Sequence, residues 1–302
     1  MISGSKRGSV AHATTIHVRK EPFFSTLIFA LPIGHPLAEP QLKYVAASST
    51  ALDNPHDLKL SPDGTKLFVS DVDNNRVVIL DANSLEFLAS FGADHQSGTH
   101  DVDFDKDGQL YVADTRNNRV TIYELQGTNA RLIGELSKNI RGPEGVLAHP
   151  NGRIYVAGAW SGNVVAYRDG KQVAELKDLS SPHDLELAPG GDIWLADAGN
   201  DRMLLISPNL EILRELKGAP YNFDGVRYQD VLPDGTLIAA DKYTHSIKFI
   251  APDGALVKVL GTGSRGKGPG VFTTPEGVET FGGILWISDS GNDRVVKYRM
   301  SW

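Results

Sequence analysis

One phrase recurs six times along this 302-residue chain, and the repetition restricts the possible folds more than any other feature. In most copies an acidic or histidine residue precedes a short apolar run, a Gly-containing turn, a β-rich run and a polar turn. The copies occupy residues 54–80, 98–123, 142–167, 181–206, 222–250 and 274–298. A unit of about forty residues cannot bury an apolar face by itself, so adjacent copies must pack on one another.

Each copy reads as four short strands. In the first copy, Lys66–Ser70 is rich in β-formers, and the polar turn after it leads into Arg76–Leu80 and then Glu86–Ser90. Apolar and β-branched runs between Gly, Pro, Asn and Asp turns are typical of strands. Four strands in a repeat of about forty residues indicate a propeller blade. The sequence therefore predicts an all-β fold, a six-bladed β-propeller.

The two ends of the repeat region predict how the ring closes. The sixth copy stops at Trp302 after three strands, whereas Leu42–Ala47 is a spare strand ahead of the first copy. Pairing that N-terminal strand with the last blade would complete it and remove two exposed sheet edges. We expect a propeller domain over residues 41–302 and an N-terminal extension over residues 1–40.

The extension resembles an export signal. The basic segment Val18-Arg19-Lys20 precedes the apolar run Phe23–Ile33, in the order of the n- and h-regions of a secretory signal. The run is too short to span a bilayer. We expect a secreted or periplasmic protein whose natural start lies near Val18, the alternative being a disordered tail on a cytoplasmic protein.

The amino-acid composition excludes some classes of binding partner and metal ligand. The net charge of -7 and the lack of a basic stripe argue against nucleic acid. The chain has no cysteine, so any metal must be held by His, Asp, Glu or carbonyl groups. A closed ring needs no second copy, and we expect a monomer with a small-molecule or peptide substrate at the channel mouth.

Aligning the copies places one polar residue at the entrance of each innermost strand. These strands surround the axis, so their first residues meet at one end of the channel. The aligned residues are His56, His100, Glu144, His183, Asp224 and Glu276. All six can bind a metal or move a proton, which predicts a functional site, although a wet strand entrance also accommodates polar residues that have no role in function.

Several further residues belong to the same end. The turns between second and third strands return to the channel mouth and bring Arg116, Trp160, Tyr243 and His245 to its rim.

Three neutral imidazoles suit Zn²⁺ or another borderline divalent ion, with one position open. Carboxylates suit general-base work or a harder ion such as Ca²⁺. Three aspartates follow the histidines directly and could orient them or support a second ion: Asp57, Asp101 and Asp184.

Other recurring residues have a structural interpretation. An aspartate ends the second strand of five copies, and an arginine follows the polar turn in four. Recurrence in nearly every blade favours hydrogen bonding that maintains the fold. The residues are Asp71, Asp114, Asp197, Asp241 and Asp289, with Arg76, Arg119, Arg202 and Arg294.

The repeats resemble NHL repeats. The turns "DNNRV", "NNRV", "NDRM" and "NDRV" match the family's Asn-Arg-Val-like turn, and "GTGSRGKGPGVFTTPEGV" at 261–278 matches its linker. The resemblance implies a propeller over about residues 42–302, and it implies no single function because this fold hosts enzymes and binding modules. Residues 261–266 also spell GxGxxG, but no helix follows, which argues against a nucleotide loop.

Among NHL propellers, the His-Asp phrases resemble the peptidyl-α-hydroxyglycine α-amidating lyase family. The resemblance implies a catalytic Zn²⁺ on three channel histidines, a structural Ca²⁺ near one His-Asp pair, and a tyrosine and an arginine at the pocket. It assigns the metal to His56, His100 and His183 and matches Tyr243 of "AADKY" to the family's Asp-x-Tyr. Arg116 is the rim arginine that we assign to the pocket.

One departure leaves the ligand set open. The histidines of that family come from alternate blades, whereas these come from blades one, two and four. The alternate set here is His100, His183 and Glu276. The remaining carboxylates, Glu144 and Asp224, are then candidates for proton transfer together with Glu276.

These observations predict a metal-dependent enzyme, most similar to a C–N lyase. One alternative is a metal-dependent hydrolase or lactonase of the six-bladed type, whose Ca²⁺ ring this chain supplies only in part. Another is a non-catalytic propeller that binds a peptide, glycan or protein. No serine stands in a G-x-S-x-G phrase, so a nucleophilic triad is not expected.

Overall fold

The computed structural model describes residues 39–302, which form six four-stranded antiparallel sheets. The predicted signal-like run Phe23–Ile33 lies outside the described residues. Each innermost strand packs against the innermost strands of both neighbouring sheets, so the six blades form a closed ring. The prediction of a six-bladed β-propeller is confirmed. Within residues 39–302, no helix has the length and apolar character needed to cross a membrane.

The strands follow the repeats in chain order. The first strand is β1 (Gln41–Ala47). Blade 1 comprises β2 (Pro55–Leu60), β3 (Lys66–Asp71), β4 (Arg76–Asp81) and β5 (Phe87–Phe91). Blade 2 comprises β6 (Thr99–Phe104), β7 (Leu110–Asp114), β8 (Arg119–Gln126) and β9 (Asn129–Leu136). Blade 3 comprises β10 (Pro143–Ala148), β11 (Ile154–Gly158), β12 (Asn163–Arg168) and β13 (Lys171–Leu176).

The second half of the ring has the same plan. Blade 4 comprises β14 (Pro182–Leu187), β15 (Ile193–Asp197), β16 (Arg202–Ile206) and β17 (Ile212–Lys217). Blade 5 comprises β18 (Val226–Val231), β19 (Leu237–Asp241), β20 (Ser246–Ile250) and β21 (Leu256–Leu260). Blade 6 begins with β22 (Val278–Phe281), β23 (Ile284–Asp289) and β24 (Arg294–Ser301). Short 3-10 turns lie at Thr115–Asn117, Ala198–Asn200 and Ser290–Asn292.

Blade 6 takes its outer strand from the other end of the chain. Strand β1 pairs antiparallel with β24, from Gln41 opposite Ser301 to Ala47 opposite Val296. The predicted closure by the N-terminal strand is therefore confirmed. The apolar core lies between blades, as where Val69 and Leu80 of blade 1 meet Trp286 of blade 6. Each such buried side chain contributes about 1.5–3 kcal/mol.

The recurring aspartates hold the entrance of the inner strands. Asp197 is fully buried; its Oδ1 accepts the N–H of Ser180 at 2.7 Å and its Oδ2 accepts Arg202 Nε at 2.6 Å. Asp71, Asp114 and Asp289 each make the same two kinds of contact. In blade 5, Lys248 replaces the arginine beside Asp241. These bonds support the structural interpretation of the motif.

A bulge explains how consecutive residues of one strand both face the channel. The pairing of β2 with β3 shifts between Pro55 and Leu58, which inserts one extra residue, and the same shift occurs in blades 2, 4 and 5. Asp57 consequently lines the same small cavity as Asp101 and Asp184, directly below the histidines.

Close approach of neighbouring blades explains the glycine in the "PEGV" phrases. A Cβ on Gly145 would lie 2.0 Å from the carbonyl oxygen of His183, and one on Gly277 would lie 2.4 Å from that of His56. Real Cβ atoms do not approach backbone oxygen so closely, so any larger residue would push two inner strands apart.

We predict that Gly145→Ala lowers the free energy of unfolding by about 3 kcal/mol, the upper range for overpacking, because backbone must move. Gly134→Ala is the matched control, since its Cβ would meet only Ile122 at 3.6 Å. Urea unfolding of both variants is the measurement. Equal midpoints for the two variants would contradict the close approach of the strands.

Candidate functional site at the channel mouth

Six side chains form a ring at the entrance of the channel. Five were predicted: His56, His100, Glu144, His183 and Glu276. The sixth is Arg227, because Val226 pairs with Asp241 as Pro182 pairs with Asp197, which puts Arg227 where blade 4 has His183.

The register corrects the alignment of Asp224. This residue is exposed and precedes β18, so it does not enter the ring. Asp224-Gly225-Val226 imitates the Glu-Gly-Val of blades 3 and 6, which explains the misalignment. The signal that identifies the right residue is spacing, since Arg227 precedes Asp241 by the same interval as His183 precedes Asp197.

The ring has an approximate two-fold repetition. The carboxylate of Glu144 contacts His183 Nε2 between blades 3 and 4. On the opposite side, Glu276 Oε2 lies 3.3 Å from His56 Nδ1 between blades 6 and 1. All four side chains are buried. The two His–Glu pairs are thus equivalent, and the remaining ring positions differ, one being His100 and the other Arg227.

The histidines differ in how they are held. His100 Nδ1 lies 2.9 Å from the carbonyl oxygen of Gly98, and His183 Nδ1 lies 2.7 Å from that of Ser181. A carbonyl only accepts, so Nδ1 carries a proton in each ring. Nε2 of His183 contacts the carboxylate of Glu144. Neither nitrogen of His56 makes a hydrogen bond, and its ring meets His100 edge-on at 4.6 Å between centroids.

Burial sets the charge states of the ring. Burial lowers the pKa of His56 well below its usual value, helped by His100 and Lys242, and burial also lowers the pKa of His100. Both imidazoles are therefore neutral at pH 7. Burial alone would raise the pKa of Glu144, but the contact with His183 outweighs it and lowers the pKa, so this carboxylate stays ionised.

Two cationic side chains that were not predicted from the sequence, Lys242 and Arg227, also reach the ring. Lys242 Nζ contacts the carboxylate of Glu276 across the boundary between blades 5 and 6. Arg227 contacts His183, and among the described residues it has no carboxylate partner. The ring of Tyr243 faces both cations, 6.0 Å from the guanidinium carbon of Arg227 and 5.6 Å from Lys242 Nζ.

The rim residues lie where the turns were expected. Trp160 and Tyr243 are about half exposed, at 51% and 49%. Arg116 is exposed as well, and its guanidinium pairs with Asp73 at 3.1 Å, over blade 1. His245 has a structural contact instead, because its Nδ1 accepts the N–H of Thr274 at 3.1 Å.

A second layer lies directly below the ring. It contains Asp57, Asp101, Asp184 and Tyr228, all buried. The hydroxyl of Tyr228 donates to the carbonyl oxygen of Glu144 at 3.0 Å, and burial raises its pKa well above the usual value, so it stays protonated. Tyr228 lies 6.2 Å from both His56 and His183, between ring centroids, and thus forms the floor of the site.

A third layer closes the far end of the channel. Lys59 Nζ lies 2.7 Å from Glu186 and 3.9 Å from both Asp103 and Glu279. Burial alone would lower the pKa of Lys59, but these carboxylates raise it well above its usual value. The cavity between the second and third layers holds about 10 Å³, room for one water at most. A ligand can therefore enter the site from the mouth alone.

The nitrogen and oxygen atoms of the ring that could bind a metal do not converge on one point in this structure. Across residues 39–302, no group of three or more His, Asp or Glu side chains is gathered closely enough to hold a metal ion. The ring therefore offers buried donors and neutral imidazoles, together with two cationic side chains, around one solvent-open mouth.

These features define a class: a six-bladed β-propeller with a polar His/Glu/Arg site at one end of a channel that is closed at the other. Residues 100–123 match the NHL repeat family, which agrees with the repeats found in the sequence. Muconate cycloisomerase 1 of Cutaneotrichosporon cutaneum is 30% identical over 221 residues, which is 68% of this chain and 55% of that protein. This chain spans about half the length of that curated relative.

Solved structures are similar in fold. Virginiamycin B lyase of Staphylococcus aureus, in a complex with quinupristin, superposes with a TM-score of 0.63 at 14% identity, covering 86% of this chain and 99% of that one. A streptogramin B lyase gives 0.61 at 14% identity, with 87% and 88% covered. A protein of unknown function from Bacteroides thetaiotaomicron gives 0.72 at 14% identity, with 87% and 77% covered.

The closed end predicts a pH-dependent stability. Burial raises the pKa of Asp103 to about 7 and that of Asp230, in the same layer, to about 6. The folded state then binds protons more readily than the unfolded state, so the free energy of unfolding falls as pH rises from about 4 to about 7. Each unit of pKa difference corresponds to about 1.4 kcal/mol.

Asp103→Asn tests this dependence with little change of shape, because an amide oxygen can still accept the N–H of Ala148 that Asp103 accepts. We expect the variant to lose less stability than the wild type across the same pH range. Urea unfolding at several pH values is the measurement, and an unchanged slope would contradict the assignment.

Proposed function

We propose that this propeller is a metal-dependent lyase whose reaction takes place at the channel mouth. The observation that carries the proposal is the ring itself, in which three histidines stand at the channel mouth, His56 and His100 are neutral, and His56 has no hydrogen-bond partner. Virginiamycin B and streptogramin B lyases share the fold, which supports a propeller lyase only in general terms. The hydroxyglycine amidating reaction is the specific lyase reaction that the sequence resemblance suggests.

The donor chemistry fits a borderline divalent ion such as Zn²⁺. Both nitrogens of His56 are buried without a hydrogen bond, and the buried carboxylate of Glu276 contacts Lys242. The Nδ1 bonds of His100 and His183 to backbone carbonyls are the kind that orient metal-binding histidines. His56, His100 and His183 would hold the ion, with Glu276 as the alternative third ligand. Bound there, it would supply Lewis acidity toward a substrate oxygen.

The residues of this chain would bind and orient the substrate and move protons. Glu276, whose carboxylate is held in place by Lys242, would take up a proton from the substrate. Arg227 would hold an oxyanion of the substrate, because a guanidinium without a carboxylate partner offers N–H donors. Tyr228 supplies a fixed neutral hydroxyl at the floor, and Tyr243 and Trp160 would cover the substrate from the rim.

Three other predicted residues have weaker support. Glu144 is held by His183, so it would act in positioning that imidazole. Arg116 and Asp224 are exposed, and we propose for them a part in substrate entry at most. The second-layer aspartates Asp57 and Asp101 would be the ligands of a Ca²⁺ ion if one is present, since hard cations prefer carboxylate oxygen.

A second candidate is a cycloisomerase. The 30% identity to muconate cycloisomerase 1 is higher than the 14% to the lyases, and it extends over 221 residues. A ring-closing addition and an elimination both need one group that takes a proton and another that returns it. Glu276 as the base and Lys242 as the acid would suit either reaction, with Arg227 binding an anionic substrate in both.

We predict near-stoichiometric metal in the protein purified without chelator or metal-affinity resin. The His100→Ala/His183→Ala double variant should lose it, because two of the three imidazoles are gone. His95→Ala is the matched control, since His95 bonds Tyr123 away from the ring. Elemental analysis is the measurement. Absence of metal from the wild type, even after reconstitution, would move the function to a binding propeller.

We predict that Glu276→Gln lowers kcat by at least roughly 100-fold, the usual effect of losing a general base. Glu124→Gln, on an exposed ion pair with Arg131, should leave kcat unchanged. The assay panel contains an α-hydroxyglycine peptide, a muconate and a lactone, followed by NMR. Turnover of the lactone alone would indicate the hydrolase alternative instead of a lyase or cycloisomerase.

A further inference from the structure

A large cavity lies far from the ring, in the cleft between blades 2 and 3. It measures about 420 Å³ and opens at the end of the ring opposite the channel mouth, where the turn after each innermost strand lies. Apolar and aromatic side chains form its walls, among them Tyr111, Leu136 and Tyr167. Turn residues Asp105 and Asp169 lie at its edge.

A comparison with blade 4 shows what kind of side chain can fill such a cleft. In blade 4, Arg214 stands on the outer strand and donates to the carbonyl oxygens of Pro252 and Asp253 in blade 5 at 2.8 Å. The equivalent residue of blade 2 is Gly134, since it pairs with Ile122 as Arg214 pairs with Leu205. Gly134 has no side chain to reach blade 3.

The turns that border the two clefts also show that one cleft is filled and the other is open. A Cβ on Gly254 would lie 2.1 Å from Arg214 Nη2, so that cleft is full. A Cβ on Gly170, the equivalent residue beside the cavity, would meet no atom within 4 Å. The space that Arg214 occupies between blades 4 and 5 is therefore open between blades 2 and 3.

The hydroxyl of Tyr111 in the cavity also has a weaker hydrogen bond than the hydroxyl of its counterpart, Tyr155. Tyr155 of blade 3 donates its hydroxyl to the carbonyl oxygen of Pro208 in blade 4 at 2.7 Å. Tyr111 occupies the same position in blade 2, and its hydroxyl has only a 3.4 Å contact with Asp105 Oδ2. The Asp105 carboxylate turns its other oxygen to the N–H groups of Asp107 and Gln109.

The charge around the cavity is negative. Lys106 forms an ion pair with Asp107 at 2.6 Å, and Glu135 forms one with Arg119 at 2.9 Å. Asp105 and Asp169 have no cationic side chain within 4 Å in the described part of the chain. Two carboxylates thus remain without a counter-charge at the edge of an aromatic cavity, where a cation would gain both ion pairing and contact with a π face.

We propose that the cleft between blades 2 and 3 is a second ligand site, independent of the channel mouth, for a protonated amine with an apolar or aromatic body. The ammonium pairs with Asp105 and Asp169, and the body fills the space that an arginine side chain fills between blades 4 and 5. Arg214 in the cleft between blades 4 and 5 is an internal example of the occupant, a cation on an apolar stem.

The test is titration of the full chain with benzylamine, followed by calorimetry and ligand NMR, with benzyl alcohol as the neutral isostere. We expect saturable one-site binding of benzylamine and at least about tenfold weaker binding of the alcohol, a difference of about 1.4 kcal/mol. No binding of benzylamine up to millimolar concentration overturns the proposal, as does equal affinity for the two probes.

Three variants locate the site. Gly134→Arg rebuilds the filling side chain and should abolish benzylamine binding, whereas Gly134→Ala adds one methyl in ordinary contact and should preserve it. Asp105→Asn retains an acceptor for the Asp107 and Gln109 N–H groups and should weaken binding about tenfold. Circular dichroism and urea midpoints confirm folding of each variant.

A further variant keeps the two sites distinguishable. His100→Ala alters the channel mouth and should leave benzylamine affinity unchanged. Loss of binding in His100→Ala together with unchanged binding in Gly134→Arg would place the amine at the mouth and overturn the proposal.

Discussion

In five of the six blades, the hydrogen bonds of one buried carboxylate determine where the site residues lie. Asp197 joins the loop ahead of the innermost strand to the turn after the second strand, and its counterparts do so in four other blades. Hydrogen bonds to a charged group contribute about 1.5–3 kcal/mol each, and loss of Arg202 would leave a buried charge unpaired. Because His183 follows that loop directly, its position depends on this aspartate.

The site is chemically asymmetric because its approximate two-fold repetition is broken at one pair of ring positions. Two His–Glu pairs face each other across the channel and are equivalent, so neither alone distinguishes the two sides. The distinction comes from one position, where His100 stands beside His56 and Arg227 stands beside His183. His56 and His100 on one side are neutral, whereas Arg227 on the other side adds a cation beside His183.

The fold followed from the sequence because repetition, strand periodicity and turn residues all act over short distances. The ring followed in part, for the same reason: "PHDL", "THDV" and "PEGV" are local phrases. Arg227 was missed because "DGV" imitates "EGV", and Lys242 was missed because its partner Glu276 belongs to the next blade. The shared orientation of His56 and Asp57 depends on a bulge, which a simple alternation of strand faces does not contain.

The pairing of β1 with β24 has a consequence for the order in which the molecule is assembled. The first strand of the domain has no partner until β24 has been made, so five blades can form during synthesis before the sixth is complete. Bringing the two ends together has an entropic cost that grows only with the logarithm of the intervening length. Within the described residues it is nevertheless a highly non-local contact, and contacts of that kind form slowly. Ring closure therefore follows the synthesis of β24, and Glu276 meets His56 only once the ring has closed.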